Sequence, residues 1–466
     1  MSKLNSVIQC LSLVLCLIFL VSCTQVNINT NGNPIDINNA EVDTENNEVT
    51  DSRNDNSDIG SEISNEGYKC IVAANYNALV VKENGELWIW GNNESGQLGN
   101  GTWLSSDYPQ KIMNNVKTAK INYTAWAIKE NGELWGWGEN LGGQIGNGTK
   151  INSNTPQKIL DNVRYVEDGM WYTLAIKEND ELWGWGNNDY GQLGDGTFEE
   201  SLHPKKLMDD VRMVVSSLYS TFVIKNNGEL WGWGNSECLP EPYNEPVSTP
   251  VKLMENVKQI ISGGDNMFVI KDNNELWGWG TNYGGALGDG TWDMSFQPIK
   301  IMDDVREVIP GNIAIMAVKN NGELWGWGLE RFFEQFHERN YSEEVCTPRK
   351  ILENVRYVNI DGMPYIINEN NELWGWGYEP LGDGNSLGSD TLKKIRDDIL
   401  FVDYGESYTL AVDKNNDLLI WGSGKPTPEK IEVYEYTYIP LQLFQNRRNT
   451  EDSHIQRYGI QLQLYS

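Results

Sequence analysis

The sequence predicts an all-β fold, a β-propeller of four-stranded antiparallel blades. Three observations predict it. First, the stretch Asn131-Gly132-Glu133-Leu134-Trp135-Gly136-Trp137-Gly138 recurs down the chain with small changes. Second, the recurrences are evenly spaced. The leading Trp falls at Trp88, Trp135, Trp183, Trp231, Trp277, Trp325 and Trp374, at intervals of 47, 48, 48, 46, 48 and 49 residues. An eighth copy, 45 residues further on, has Leu419 in that place and keeps the second Trp as Trp421. Third, a proline recurs at one place in seven copies: Pro109, Pro156, Pro204, Pro250, Pro298, Pro348 and Pro428. A fixed period of this length marks units that bury their faces only against their neighbours.

Unit 2 shows the grammar of each copy. A short alternating stretch ends in a turn near Asn122-Tyr123, and a second strand follows, Ala125-Trp126-Ala127-Ile128-Lys129. Asn131-Gly132 then predicts a type I′ hairpin turn, in which both central residues take positive φ. The third strand runs from Glu133 to Trp137. The loop Gly143-Gln144-Ile145-Gly146-Asn147-Gly148-Thr149 follows, and a fourth strand begins after Pro156. Proline lacks a ladder N–H, which suits the start of an edge strand. Four short strands per unit make a propeller blade. Residues two apart in a strand share a face, so Trp135 and Trp137 point one way while Leu134 and Gly136 point the other. Each Trp can bury about 150–250 Å², worth about 4–6 kcal/mol as an upper bound. Ordering costs about 1–2 kcal/mol per residue, so a lone unit with wet faces does not come out ahead. The Trp ladder is therefore read as the core between blades.

Outside the repeats the composition changes. Lys3 precedes an apolar run from Leu11 to Val21, the layout of a secretory signal peptide. The run is too short for a convincing permanent spanning helix. It ends in Leu20-Val21-Ser22-Cys23, which resembles the lipobox of bacterial lipoproteins and implies acylation of Cys23. Residues 1–23 are thus expected to be a lipoprotein signal, with the mature chain exported and held at the bacterial membrane only through its lipid. Residues 24–66 are rich in Asn, Asp, Ser and Glu without an aromatic residue, and are expected to be a disordered tether. The propeller is assigned to residues 67–433. The tail, 434–466, breaks the pattern and carries no assignment.

The formal charge of −30 argues against nucleic acid as a partner, because phosphates would be repelled. It also argues against docking on anionic lipid, and suits a soluble surface protein or one with a basic partner. Cys70, Cys238 and Cys346 remain after the signal and lipid cysteines, with no CxxC spacing. One disulfide plus a free thiol is allowed. His203, His337 and His454 share no motif, and no Gly-x-Ser-x-Gly, phosphate loop, zinc spacing or sialidase-type Asp box occurs. Asp195-Gly196 and Asp289-Gly290 are more cheaply explained as turns than as calcium ligands. The expectation is no enzyme, no cofactor and no metal.

These residues resemble the regulator of chromosome condensation repeat. Its pattern places a hairpin before Trp-Gly-x-Asn-x-x-Gly-Gln-Leu-Gly-x-Gly, and a Pro-led strand after it. The stretches from Trp90 to Gly101 and from Trp185 to Gly196 match it closely, and the resemblance extends from about Tyr68 to Val433. It implies a propeller, usually of seven blades. Eight units are counted here, and eight blades are expected. Function follows less directly, since one fold hosts many activities. The eukaryotic founder exchanges nucleotide on a nuclear GTPase and binds chromatin, which a signal peptide and an acidic chain speak against. The plant photoreceptor of the family uses Trp within an Arg- and His-containing context that is missing here. A secreted bacterial β-lactamase inhibitor built from these repeats binds its target through loop aromatics, a closer guide.

The resemblance thus implies a loop rim that meets a protein partner. The turns between first and second strands would place Tyr76, Tyr123, Trp171, Tyr172, Tyr219 and Tyr408 on one rim, with Asp265 and Asn266 between. Tyr and Trp are the residues of interface hot spots. The same rings could instead tuck over the next blade and cap the core. A secondary set, Trp103, Phe198 and Trp292, follows the Gly-x-Gly-Thr turn. Units 4, 6 and 7 lose the Gly-Gln-Leu-Gly loop, and unit 6 carries Phe332-Phe333-Glu334-Gln335-Phe336 in its place. Two functions are therefore expected of the rim: a non-catalytic binding module for a protein at the cell surface, or a glycan- or wall-binding module or hydrolase.

Overall fold

The computed structural model describes residues 67–434 except 75, 218, 236–238, 241–244, 312–313, 329–345, 361–362, 378, 406–407 and 423–424. Cys23, the tether, Cys238, the Phe332–Phe336 insertion and the tail beyond Tyr434 lie outside the described residues. Eight four-stranded antiparallel sheets follow one another, each made of four consecutive strands. Blade 1 comprises Tyr68–Ala74, Asn77–Lys82, Leu87–Gly91 and Ser106–Met113. Blades 2 to 8 begin at Val116, Val163, Val211, Val257, Val305, Val355 and Ile399, and the last strand is Lys425–Lys430. The first strand of blade 1 touches the first strands of both blade 2 and blade 8, so first strands line the centre and the ring closes. Among the described residues no strand is shared across the closure. Side chains bridge it instead: the Ala73 N–H donates to Asp403 Oδ2 at 2.7 Å and Lys82 Nζ to the Val433 carbonyl at 2.6 Å.

Each letter of the repeated motif has a task. In blade 2 the Asn131 side chain accepts from the Glu133 N–H at 3.2 Å. Only Gly132 has positive φ, 79°. The Gly132 N–H donates to the Lys129 carbonyl at 2.9 Å, so the tight turn spans Lys129 to Gly132 and is not the expected type I′. Asp180, Asn274, Asn371 and Asn416 hold the same left-handed place in other blades, as Asn and Asp can. Glu133 accepts from the Trp135 indole at 3.3 Å and from Lys158 at 2.7 Å, while Lys129 lies over the Trp135 ring at 4.6 Å. Leu134 is fully buried. Gly136 leaves room for Trp126, its cross-strand partner, whose ring would lie 2.5 Å from an added Cβ. The space is therefore used by the blade's own second strand.

The two tryptophans do different work. Trp135 is half-buried in its cage of Lys and Glu. Trp137 is fully buried and reaches the preceding blade, donating to the Gln97 carbonyl at 2.9 Å. Trp185 does the same to Gln144 at 2.6 Å, and Trp233 to Gln192 at 2.9 Å. The Gly-Gln-Leu-Gly loop is the receptor for this ring. In the loop before Trp137, Gly99 would place a Cβ 2.6 Å from the Trp137 nitrogen, and Leu98 is buried. The cores lie between blades, as in the cluster that joins Trp126, Val166 and Trp185, and one larger cluster runs through blades 7, 8 and 1.

Pro348 directly precedes the outer strand Arg349–Leu352 of blade 6, but in most blades the proline lies inside the outer strand rather than opening it. In blade 2 that strand is Ser153–Leu160, with Pro156 inside it. Ser153 pairs with Gly138 and Gln157 with Gly136, so Asn154 to Pro156 bulge opposite Trp137. A residue without a ladder N–H fits such a bulge. Cys70 and Cys346 are buried, and burial pushes the Cys70 thiol up to about 11.

Candidate partner-binding rim

Turns between the first and second strands and loops between the third and fourth strands emerge at the same end of every blade. They are tied together there. The carbonyls of Tyr76, Tyr123, Trp171 and Tyr219 accept from the N–H groups of Asn92, Glu139, Asn187 and Asn235 at 3.1, 2.9, 2.9 and 3.1 Å. The final glycine of the motif makes this possible. Gly138 has φ 97°, and a Cβ there would lie 2.5 Å from the Tyr123 carbonyl oxygen. The turn backbone is thus fixed while its side chain is left to solvent.

Tyr76, Tyr123 and Trp171 are 56%, 47% and 41% exposed. Tyr219 is half-buried, stacked on Tyr190 with ring centroids 4.6 Å apart and tilted against Trp171 at 6.4 Å. Tyr172 departs from the expectation of a rim residue. It is fully buried, and its hydroxyl donates to the Ser220 carbonyl at 2.7 Å. It is the first residue of its strand, so it faces the interface between blades 3 and 4 and keeps the turns of Trp171 and Tyr219 adjacent. Tyr408 departs too. Its ring packs against the closure core, and its buried hydroxyl has no hydrogen-bond partner among the described residues. Burial, then the charge of Asp403, raises its pKa. Asp265 is exposed and Asn266 buried.

Trp103, Phe198 and Trp292 are all exposed on the same rim. Each follows a Thr that is anchored through the residue two places before it. Thr197, for example, donates its N–H to Asp195 Oδ1 at 2.9 Å and its hydroxyl at 2.7 Å. Asp195 Oδ2 also takes Lys205 of the outer strand at 2.6 Å, so the turn holds one carboxylate oxygen and a lysine the other. Sequence reasoning missed Tyr190 and Tyr283, the latter 81% exposed. Both lie in loops read only as scaffold. The available signal was strand parity, which puts these loops at the same end as the first turns.

A buried polar network lies beneath the rim at blades 2 to 4. Lys120 Nζ meets Glu167 at 3.0 Å, and Glu167 also accepts from the Tyr165 hydroxyl at 2.8 Å and the Ser216 hydroxyl at 3.1 Å. Such a network fixes geometry more surely than it adds stability. The opposite rim is different in kind. There Lys158 bridges Glu133 at 2.7 Å and Asp161 at 2.8 Å, and Lys206 bridges Glu181 at 2.6 Å and Asp209 at 2.7 Å. Blades 4 to 7 repeat this bridge with their own Lys and two carboxylates.

Ring closure, inner first strands and a loop-bearing rim define an eight-bladed β-propeller of tandem repeats. Over residues 69–224 the repeats match the regulator of chromosome condensation (RCC1) type: that family's repeat pattern matches residues 84–124, 131–176 and 179–224, and a second pattern of the same description matches 69–97. No curated protein sequence matches the chain significantly. Among solved structures, human WBSCR16 is similar at 19% identity and TM-score 0.51, over 64% of this chain and 94% of that one. Prp20p of Saccharomyces cerevisiae, described with its binding properties to Gsp1p and histones, is similar at 18% identity and TM-score 0.53, over 72% and 94%. Yeast RCC1 (Prp20) bound to Kap60 is similar at 17% identity and TM-score 0.53, over 80% and 98%. At these identities the likeness is one of fold.

Proposed function

We propose that this protein is a non-catalytic binding scaffold, exported and lipid-anchored through Cys23, that presents its loop rim to a protein partner outside the cytoplasm. One observation carries the reading. Among the described residues, every exposed large hydrophobic side chain except Tyr434, which follows the last strand, lies in the turns and loops of one rim or, as Tyr108 does, where the outer strand leaves that rim. Contiguous exposed apolar surface on one face marks an interaction site. The similar yeast propeller is described as binding Gsp1p, histones and Kap60, which supports a protein partner as the class. The apolar segment ending at Cys23 supports the location.

The test is affinity capture by the full chain, set against a variant with Tyr123, Trp171 and Tyr219 changed to alanine. The same preparation is made with Cys23→Ala. The reading expects a surface or secreted protein held by the parent and lost by the triple variant, and release of Cys23→Ala from the membrane fraction. Capture of wall polysaccharide instead would favour the glycan reading. Equal capture by parent and triple variant would remove the rim from the function.

A further inference from the structure

We infer that Trp171, Tyr190 and Tyr219, with Asp189, form a receptor for cationic side chains, and that the partner presents a Lys- or Arg-rich segment to it. This rests on the rim being a protein-binding face, and it names the chemistry of what binds.

The molecule itself shows the chemistry. On the opposite rim an aromatic ring, a carboxylate and a lysine recur as a set. Lys129, Lys177, Lys225, Lys271 and Lys319 lie 4.6, 4.5, 5.6, 5.1 and 4.8 Å from the centroid of the leading Trp of their blades. A glutamate holds each of those indole N–H groups, as Glu181 does for Trp183 at 3.1 Å. On the loop rim the ring and the carboxylate are present without the lysine. Tyr190 and Tyr219 are stacked, and Trp171 leans on Tyr219. Asp189 is the neighbour of Tyr190, and its carboxylate accepts from Asn187 Nδ2 at 2.7 Å. No Lys or Arg among the described residues pairs with Asp189 or lies over these three rings. Lys150 of a loop is already engaged by Glu200, and Lys205 of an outer strand by Asp195. Aromatic faces carry negative potential and attract ammonium and guanidinium groups. The chain's charge of −30 would steer a basic partner toward them.

Backbone strain marks the same place. Twelve described non-glycine residues have positive φ, and eleven are Asn or Asp on the opposite rim. The twelfth is Trp171, at 64°. A bulky residue is rarely held in this conformation, and such strain is retained where a side chain is needed in one position.

The full chain is titrated near physiological salt with an oligolysine peptide, an oligoglutamate peptide and an N-acetylglucosamine oligosaccharide, followed by tryptophan fluorescence and calorimetry. Saturable binding of oligolysine alone is expected. Its affinity should fall roughly tenfold in Trp171→Ala and in Tyr219→Leu. Asp189→Asn should weaken it severalfold, and Asp209→Asn on the opposite rim should leave it unchanged. Melting curves check that the variants fold, and Tyr219→Leu carries the test if Trp171→Ala does not. Equal affinity in parent and both aromatic variants would overturn the inference, as would an equal loss in Asp209→Asn or capture of the oligosaccharide by the cluster. If protein capture by the rim is lost in the triple variant while oligolysine does not bind, the inference fails and the binding-scaffold reading stands. If capture also survives the triple variant, both fail.

Discussion

The two rims of the ring solve one problem in two ways. Both must end strands and satisfy backbone groups. The opposite rim does it with short turns, Asn and Asp in left-handed positions, and a Lys between two carboxylates in blade after blade. The loop rim uses longer connections whose backbone is tied just as fully, yet it exposes Trp, Tyr and Phe. The fold can therefore close a rim without exposing aromatic rings. Their exposure at one end is not a by-product of the architecture, and this is why the loop rim is assigned the function.

If the comparison holds, buried and rim aromatics should differ most in stability. Trp185→Ala removes a fully buried ring that bonds the preceding blade, and it should lower unfolding free energy by about 3–5 kcal/mol. Tyr123→Ala should change it by no more than about 0.5 kcal/mol. Denaturant unfolding of the two variants decides, and equal losses would erase the distinction between wall and rim.

Acid should next weaken the opposite rim. Hydrogen bonds from Lys206, Lys252, Lys300 and Lys350, each the largest cause, hold Glu181, Glu229, Glu275 and Glu323 down at about 2, from 4.5. A carboxylate with a depressed folded pKa stabilises the fold above its unfolded value, and that stability is lost as pH falls through the folded one. The denaturation midpoint should thus begin to fall below about pH 4.5 and keep falling toward about 2. High salt should reduce the slope, because these groups are solvent-facing. A midpoint flat from pH 5 to 3 would mean the bridges contribute nothing.

Much of the wall was legible in the sequence, because period and strand parity depend on spacing alone. Blade number, strand order and the burial of the second Trp follow from those two features. What was not legible depended on lateral neighbours or on turn geometry. Asn131-Gly132 is compatible with more than one hairpin turn. Copies ending in Asp180 or Asn274 share the left-handed place, but nothing in the letters shows the residue before it to be ordinary. Trp171 and Tyr172 are adjacent letters with opposite fates, because one belongs to the turn and the other to the strand. Lys120 and Glu167 occupy the same place in successive units, 47 residues apart, so comparing units by column would have paired them. Tyr190 was hidden by its motif: a loop whose Gln and Leu serve the wall also carries a ring to the rim.

The smallest effect probes the strain at Trp171. Glycine normally destabilises relative to alanine, by roughly 0.5–1 kcal/mol. At φ 64° the order should reverse. Alanine keeps the left-handed cost, about 1–2 kcal/mol, while losing the ring contact with Tyr219. Glycine loses the same contact and sheds that cost. Trp171→Gly should therefore be more stable than Trp171→Ala by about 1 kcal/mol and lie close to the parent. Both should lose rim binding equally, since neither carries the ring. Thermal melts of the two variants separate the terms. If alanine proves the more stable, the turn does not strain its residue, and Trp171 sits there for packing rather than for presentation.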